Sequence, residues 1–401
     1  MDQLRWEPLH PPPPPSPSPP PLPAAVAFSG DRGAFFRLVS RGAGLELITV
    51  GFYRFWLATD IRRHLWSNTL IDGDAAEYTG RGRELLIGFL FALAILVPVY
   101  LAYFLVGLEV ERFRAFASFP LLAFFYVFGQ FAVYRARRYR LTRTVWRGVR
   151  FWMDGSGWAY AGRATLWGLL VLLTLGLALP WREAALERYK MQHSYYGGLP
   201  GDFDGRGWEF FKQGWWIWFA GIALLAALAL TKWIPPAPLL AVVAAPFLYA
   251  TFKAIEWRWW VSGIRFGGVQ FESKLESSAL AGLYWKVIGW FLLFSIVFPL
   301  YMLLCAALVA GASRTDIAKL FMSGHAQQSI PMIVLGLLGY LLLILALNVV
   351  MRLYLMRDVW SRVAATTTVY NIAAAENVTA IGDLASALGE GFADGLDVAG
   401  F

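Results

Sequence analysis

Long uncharged, apolar runs alternate along this chain with short segments rich in arginine, aromatic residues and glycine. A helix that crosses a membrane needs about 20 predominantly apolar residues. Six runs predict such helices: residues 85–108, 115–134, 214–231, 233–252, 287–313 and 327–351. We therefore expect a multi-pass membrane protein.

Two further apolar segments are weaker candidates for spanning helices. Residues 164–181 are short for a span, and residues 35–56 are interrupted by Arg37, Arg41 and Glu46. Hydrophobicity therefore predicts between six and eight crossings.

The polar segments between the apolar runs share one pattern. In four of them an arginine followed by a ring residue stands ten residues before a glycine. The arginines are Arg63, Arg138, Arg188 and Arg258, and the glycines are Gly73, Gly148, Gly198 and Gly268. In the first three copies a Gly-x-Gly sequence begins seven residues after that glycine. This fixed register indicates internal repeats, with a last degenerate copy expected within residues 357–369.

Each of these glycines belongs to a dipeptide that favours a tight turn, such as Asp72-Gly73, between β-forming residues. We therefore predict the four glycines as structural turns of small two-stranded hairpins. Isolated hairpins are barely stable, so they should pack on one another or on the bilayer surface. The candidate contacts are Trp66, Trp146, Tyr196 and Phe266. The predicted fold class is membrane all-α: a multi-pass helical bundle with internal repeats and small β-hairpin loops at the membrane surface.

Composition agrees with a membrane location and argues against several other functions. The chain is 58% hydrophobic and 15% charged, whereas soluble domains carry about 25% charged residues. Its net charge of +8 lies between apolar segments, which points to membrane lipids, anionic ones included, rather than nucleic acid as partners. One cysteine, Cys305, and four scattered histidines form no metal or nucleophile pattern. We therefore predict no catalytic residues, metal or cofactor, and an enzyme is disfavoured.

The two ends of the chain differ from the middle. Residues 1–27 form a proline-rich arm that we expect to be disordered. Residues 28–375 form the predicted repeat-built transmembrane domain. Residues 376–401 are small, acidic and glycine-punctuated, and are expected to form a surface tail.

Two positions that recur in the copies of the repeat are candidate ligand-binding or lipid-binding sites, and we call each such set of residues a column. The first is the arginine column, Arg63, Arg138, Arg188 and Arg258. Arginines can bind lipid phosphates or an anionic solute through paired N–H donors, or they can simply orient the protein at the interface. Glu84 and Glu209 occupy one column at a predicted membrane entry, where an ionisable group needs a partner or water. The alternative role of these carboxylates is to stabilise a helix N-terminus.

Several motifs together resemble a known family. They are residues 49–56, 62–66, 77–82, 203–207 and 266–268. These segments are similar to the YjgN-like bacterial inner-membrane proteins, a domain of unknown function (898), over most of the chain from about residue 28. The resemblance implies a multi-pass protein of a bacterial cytoplasmic (inner) membrane and supplies no functional residues.

Charge and hydrophobicity conflict over the topology. The positive-inside rule places the basic segments in the cytoplasm, but only residues 164–181 separate the second from the third. Either the two halves are inverted, or this segment and residues 35–56 do not cross, which is the version we favour. The leading functional hypothesis is a transporter or channel. The alternative is a lipid-interacting or envelope-organising membrane protein without transport.

Overall fold

The computed structural model describes residues 23–109, 114–313, 330–382 and 384–386. Its strands are short and mostly come in pairs joined by two residues. They are β1 Ala24–Phe28, β2 Thr69–Ile71, β3 Asp74–Tyr78, β4 Thr144–Trp146, β5 Val149–Met153, β6 Ser194–Tyr196, β7 Leu199–Phe203, β8 Ile264–Phe266, β9 Val269–Ser273 and β10 Thr367–Tyr370.

Helices lie between the strand pairs. They are α1 Arg32–Ile48, α2 Arg54–Ser67, α3 Gly82–Glu109, α4 Arg114–Thr142, α5 Gly157–Leu173, α6 Leu179–Gln192, α7 Gly207–Ala229, α8 Ala237–Gly263, α9 Ala281–Ser313, α10 Ile330–Met351 and α11 Val359–Ala365. A π-helical stretch, Arg352–Asp358, joins α10 to α11. The chain thus repeats the order helix, strand pair, helix.

In the described part of the chain, ten antiparallel strands close into a barrel. The four hairpins β2–β3, β4–β5, β6–β7 and β8–β9 lie side by side. The remaining place is filled by β10 and β1 from opposite ends of the chain, which pair with each other through Ala24 and Val369. Strand β1 also pairs with β2, and β10 with β9. The first and last strands therefore close the ring.

The predicted all-α fold is wrong, because the hairpins are not separate loops on a helical bundle. A free hairpin leaves two edges of unpaired N–H and C=O groups. Pairing each hairpin with the next, and closing the ring with β1 and β10, satisfies every edge. The four predicted hairpins do form, but as parts of one barrel.

The hairpin turns have the positive-φ backbone geometry that glycine favours, and Asp72 and Arg147 adopt it as well. The first turn residue has a positive φ in each: Asp72 +53°, Arg147 +47°, Gly197 +52° and Gly267 +53°. The second residue is Gly73, Gly148, Gly198 or Gly268, and φ is positive at Gly73 and Gly148. These conformations match the twist of the flanking strands.

A hydroxyl contact marks the passage from helix to strand in four places. The hydroxyl of the first strand residue donates to the carbonyl four residues earlier at 2.7–3.0 Å. The donors are Thr69, Thr144, Ser194 and Thr367. The contact at Thr367, where α11 passes into β10, has the same geometry as those at the starts of β2, β4 and β6.

Five antiparallel helix pairs leave the barrel and return to it within the described ranges: α1–α2, α3–α4, α5–α6, α7–α8 and α9–α10. Three pairs are long, and among the described residues they supply six helices that are long and apolar enough to cross a membrane. Each predicted apolar run overlaps one of these helices over most of its length. Residues 230–231 and 233–236 lie instead in the turn between α7 and α8, and residues 327–329 fall outside the described residues. Since every helix pair returns to the barrel, all four hairpins lie at the same end of the helices.

The two weak candidate segments are broken in the middle. Helix α1 ends at Ile48, and the chain reverses through Val50 and Gly51, both with positive φ. Thr49 stabilises the reversal, because its hydroxyl donates to Leu45 O at 2.7 Å and accepts from Tyr53 N at 2.9 Å. Thr174 makes the same two contacts between α5 and α6. These short pairs end in exposed apolar tips, with Val50 87% and Leu175 72% exposed.

Candidate functional site

The barrel encloses an apolar lumen of about 300 Å³. One ring of inward-facing side chains comes from the first strand of each pair: Ile71, Trp146, Tyr196, Phe266 and Val369. The Tyr196 hydroxyl donates to Trp146 O at 3.0 Å, so its polar end is satisfied. A second cavity of about 400 Å³ adjoins the lumen on the side of the helices. We call this second cavity the vestibule.

The two cavities are adjacent, because the same side chains line both at their border. These are Trp66, Arg137, Leu141, Thr144, Trp260 and Trp360. Trp66 and Trp360 stack with ring centroids 5.3 Å apart. Their indole N–H groups donate to Thr144 Oγ1 at 3.0 Å and Thr69 Oγ1 at 2.8 Å. The border is therefore built from aromatic rings fixed by hydrogen bonds.

Charged side chains from three helices line the vestibule. They are Arg137 and Arg140 on α4, Glu183, Glu187 and Lys190 on α6, and Lys253 and Glu256 on α8. Spacings of three and four residues place each group on one helix face. Four cations face three anions, so the lining carries a formal charge of +1.

Glu187 is the most tightly held of these carboxylates. It is buried and pairs with Arg137 at 3.0 Å and with Lys190. Burial alone would raise the pKa of Glu187, but Lys190 and Arg137, with hydrogen bonds from Lys190 and Trp260, lower it to about 2. Glu187 is therefore ionised throughout the physiological pH range.

Glu183 lies one helical turn further from the barrel, and its environment is different. It pairs with Arg182 beside it on α6. Burial nevertheless raises the pKa of Glu183 above its ordinary value, against the attraction of Arg182 and Lys190. On α8, Lys253 pairs with Glu256. The vestibule thus holds groups of both signs, and each of its three carboxylates pairs with a cation.

The predicted arginine column lies outside both cavities. Three of its members donate to the main-chain carbonyl 17 residues later: Arg63 to Gly80 at 2.7 Å, Arg188 to Gly205 at 3.5 Å and Arg258 to Leu275 at 3.1 Å. Arg138 is half-buried on α4. These contacts hold the turn between the second strand and the next helix. Lipid or ligand binding by this column stays a prediction.

Glu84 and Glu209 also lie outside the cavities, in different surroundings. Glu84 Oε2 accepts from the Tyr139 hydroxyl at 2.8 Å and from Arg143 at 2.8 and 2.9 Å. Glu209 is exposed in the first turn of α7, in an outer polar groove with Arg188 and Arg206. Their role in ligand binding likewise stays a prediction.

The vestibule was not predicted from the sequence, because Arg137 and Glu187 each stand one residue before a member of the arginine column. The arginine column stands six residues before the first strand of each pair, whereas Arg137 and Glu187 stand seven residues before it. One residue along a helix turns a side chain by about 100°. The sequence did contain a signal for the vestibule. Charged residues recur seven and eleven residues before the first strand of a pair, as at Glu187, Glu183 and Lys253.

Among the residues that the structure describes, no group of histidine, cysteine and acidic side chains could hold a metal ion. The six helices that are long and apolar enough to cross a membrane indicate a membrane protein. No curated protein and no solved structure is significantly similar to the chain. A family model described as a bacterial protein of unknown function (DUF898) matches residues 23–237, more than half of the chain. The chain therefore belongs to the DUF898 family of bacterial proteins.

Proposed function

We propose that this protein transports or conducts a small charged solute across the bacterial inner membrane, along the axis of the barrel. The observation that carries the proposal is the vestibule, where seven ionisable side chains from three helices surround one cavity. Ionisable groups are costly at membrane depth and typically mark ion or substrate paths. The vestibule adjoins the barrel lumen through side chains that line both cavities, and this adjacency supports a path along the barrel axis.

The charge distribution supports a cytoplasmic location for the barrel. Every helix pair returns to the barrel, so the basic residues around the hairpins lie on one side, as the positive-inside rule requires. Under this arrangement the three long helix pairs cross, giving six spans in the described residues. The short pairs α1–α2 and α5–α6 enter the membrane and return.

We also infer that the helix–hairpin–helix units are internal repeats. The shared hydroxyl contacts at Thr69, Thr144, Ser194 and Thr367 support this. So do the matched reversals at Thr49 and Thr174. A repeated unit would place equivalent helix faces around the axis, where differing residues could create the charged lining.

The direct test is flux in vesicles that contain the purified protein. We expect Glu183→Gln combined with Glu256→Gln to reduce flux of its solute at least tenfold, because both carboxylates line the vestibule. Glu77→Gln is the matched control, since Glu77 is exposed on β3 outside the cavities. Absence of flux across a panel of inorganic ions, amino acids and organic anions would refute the proposal. Glu84→Gln with Glu209→Gln tests the other carboxylate column in the same assay.

A second candidate function is lipid binding without transport. It is favoured by the apolar tips of the short helix pairs, where Leu173 and Leu175 are exposed. In this case the four column arginines would bind anionic headgroups. Native mass spectrometry should then show less retained phosphatidylglycerol when Arg63, Arg138, Arg188 and Arg258 are changed to Gln. Unchanged retention would exclude this role.

A further inference from the structure

The chain does not leave the barrel after its last strand but turns across the barrel mouth. The turn is made at Asn371, which has a φ of +56°, a conformation that asparagine tolerates better than most residues. Its side-chain amide donates to Gly268 O at 3.2 Å. The residues that follow, 372–382, form a segment that we call the strap.

The strap places apolar side chains over the lumen. Ile372 and Ala375 line the lumen itself, and Val378 packs against the same core. Gly198 N donates to Thr379 O at 3.0 Å, which fixes the strap to the tip of the β6–β7 hairpin. Further along, Arg143 donates to Ala385 O at 3.1 Å. The strap therefore contacts hairpins that are distant in sequence.

Sequence differences between the hairpin tips match the path of the strap. A methyl group at Gly197 would lie 2.5 Å from Thr379 O, and one at Gly268 would lie 2.8 Å from Asn371 Nδ2. At Gly73 and Gly148 the same methyl group would meet nothing within 4 Å. The glycine pairs of the third and fourth hairpins thus leave room for the strap, whereas the first two hairpins carry Asp72 and Arg147 at the first turn position.

We propose that the strap is a lid that closes the barrel lumen to the aqueous side, and that its release opens the axial path. The role of the lid in opening a path rests on the proposed transport function. Its physical basis is separate. Three apolar side chains and the main-chain hydrogen bond between Gly198 and Thr379 hold a short segment over an apolar lumen, while other side chains of the strap, such as Ile381, are exposed. A segment held in this way can detach without unfolding the strands beneath it.

The test measures access to the lumen rather than transport. Val269 lines the lumen beside the mouth and is 5% exposed, so Val269→Cys in a Cys305→Ser chain reports on closure. Strap displacement is produced by Gly197→Asn, because asparagine tolerates the positive φ but its Cβ would lie 2.5 Å from Thr379 O and 2.7 Å from Val378 Cγ1 in the strap. The same Cβ would lie 2.8 Å from Val149 Cγ1 in the barrel, so a second variant that leaves the hairpin unchanged is needed. The matched control is Asp72→Asn, which places the same residue at the equivalent turn position, φ +53°, in the first hairpin. A chain that ends at Asn371 removes the strap altogether.

We expect a membrane-impermeant thiol reagent to label Val269→Cys at least tenfold faster in the Gly197→Asn and truncated chains. Labelling with Asp72→Asn should match the starting chain. Fast labelling in the intact chain, or slow labelling with Gly197→Asn in a folded protein, would overturn the lid. If labelling accelerates but no variant shows flux, the lid stands and the transport function fails.

Discussion

Arg137 on α4 and Glu187 on α6 form an ion pair of 3.0 Å in the wall of the vestibule. Each stands seven residues before the first strand of its hairpin. Opposite charges at equivalent positions neutralise each other where two helices approach the axis. Glu187 also pairs with Lys190, so one carboxylate neutralises two cations.

The first prediction concerns removal of that shared carboxylate. Glu187→Gln would leave Arg137 and Lys190 buried without their counter-charge, which typically costs about 3–5 kcal/mol. We expect a clear fall in the thermal unfolding midpoint of the purified protein in detergent. Glu77→Gln, on the exposed face of β3, should leave the midpoint unchanged. An unaltered midpoint for Glu187→Gln would mean that the pair is not formed.

The second prediction is the pH dependence of the same contribution. Folding lowers the pKa of Glu187 to about 2 from its ordinary value of 4.5. A lowered pKa stabilises the folded state fully above the ordinary value and progressively less as the pH falls towards the folded value. Stability measured between pH 6 and about pH 3 should therefore decline less steeply for Glu187→Gln than for the starting chain. Identical pH profiles would contradict this assignment.

The third prediction concerns a close helix crossing. A methyl group at Gly207, at the start of α7, would lie 2.8 Å from Trp181 Cα on α6. Gly207→Ala should therefore destabilise the fold by about 1–3 kcal/mol, because two backbones must separate. Gly214→Ala, also on α7, meets nothing within 4 Å and should be neutral or stabilising by up to about 1 kcal/mol. Chemical unfolding of both variants in detergent gives the comparison.

The fourth prediction is the topology. In a Cys305→Ser chain, cysteines replacing Arg147 and Arg206 should both be labelled from the cytoplasmic side, because both lie at the barrel end. A cysteine replacing Trp233, in the turn between α7 and α8, should be labelled from the opposite side. A cysteine at Leu175, the tip of a short pair, should react from neither side. Labelling of Arg147→Cys and Arg206→Cys from opposite sides would exclude this topology.

The fifth prediction concerns closure of the barrel by the first strand. Deleting residues 2–28 removes β1 and leaves β2 and β10 with open edges, which favour intermolecular pairing. We expect aggregation in size-exclusion chromatography. Deleting only residues 2–22 keeps β1 and should leave the elution profile unchanged. Monodisperse protein after the longer deletion would show that β1 is dispensable.

Local patterns in the sequence determine much of the fold. The six long apolar runs predict the six long helices, because length and hydrophobicity alone decide whether a helix can cross a bilayer. The dipeptides Asp72-Gly73 and Gly267-Gly268 predict hairpins, because the two-residue turns of hairpins need a positive φ that few residues other than glycine, asparagine and aspartate adopt readily.

Tertiary structure decided the rest, because it depends on contacts between residues far apart in the chain. Ala24 and Val369 close the barrel across almost the whole sequence, and no local pattern specifies that pairing. No local pattern fixes which face of each helix points to the barrel axis either. Rotation of about 100° per residue separates Glu187 in the vestibule from Arg188 outside it, and only the packing of α6 against its neighbours fixes that angle. The charges at Glu187, Glu183 and Lys253 were present in the sequence, but only this packing shows that they line one cavity.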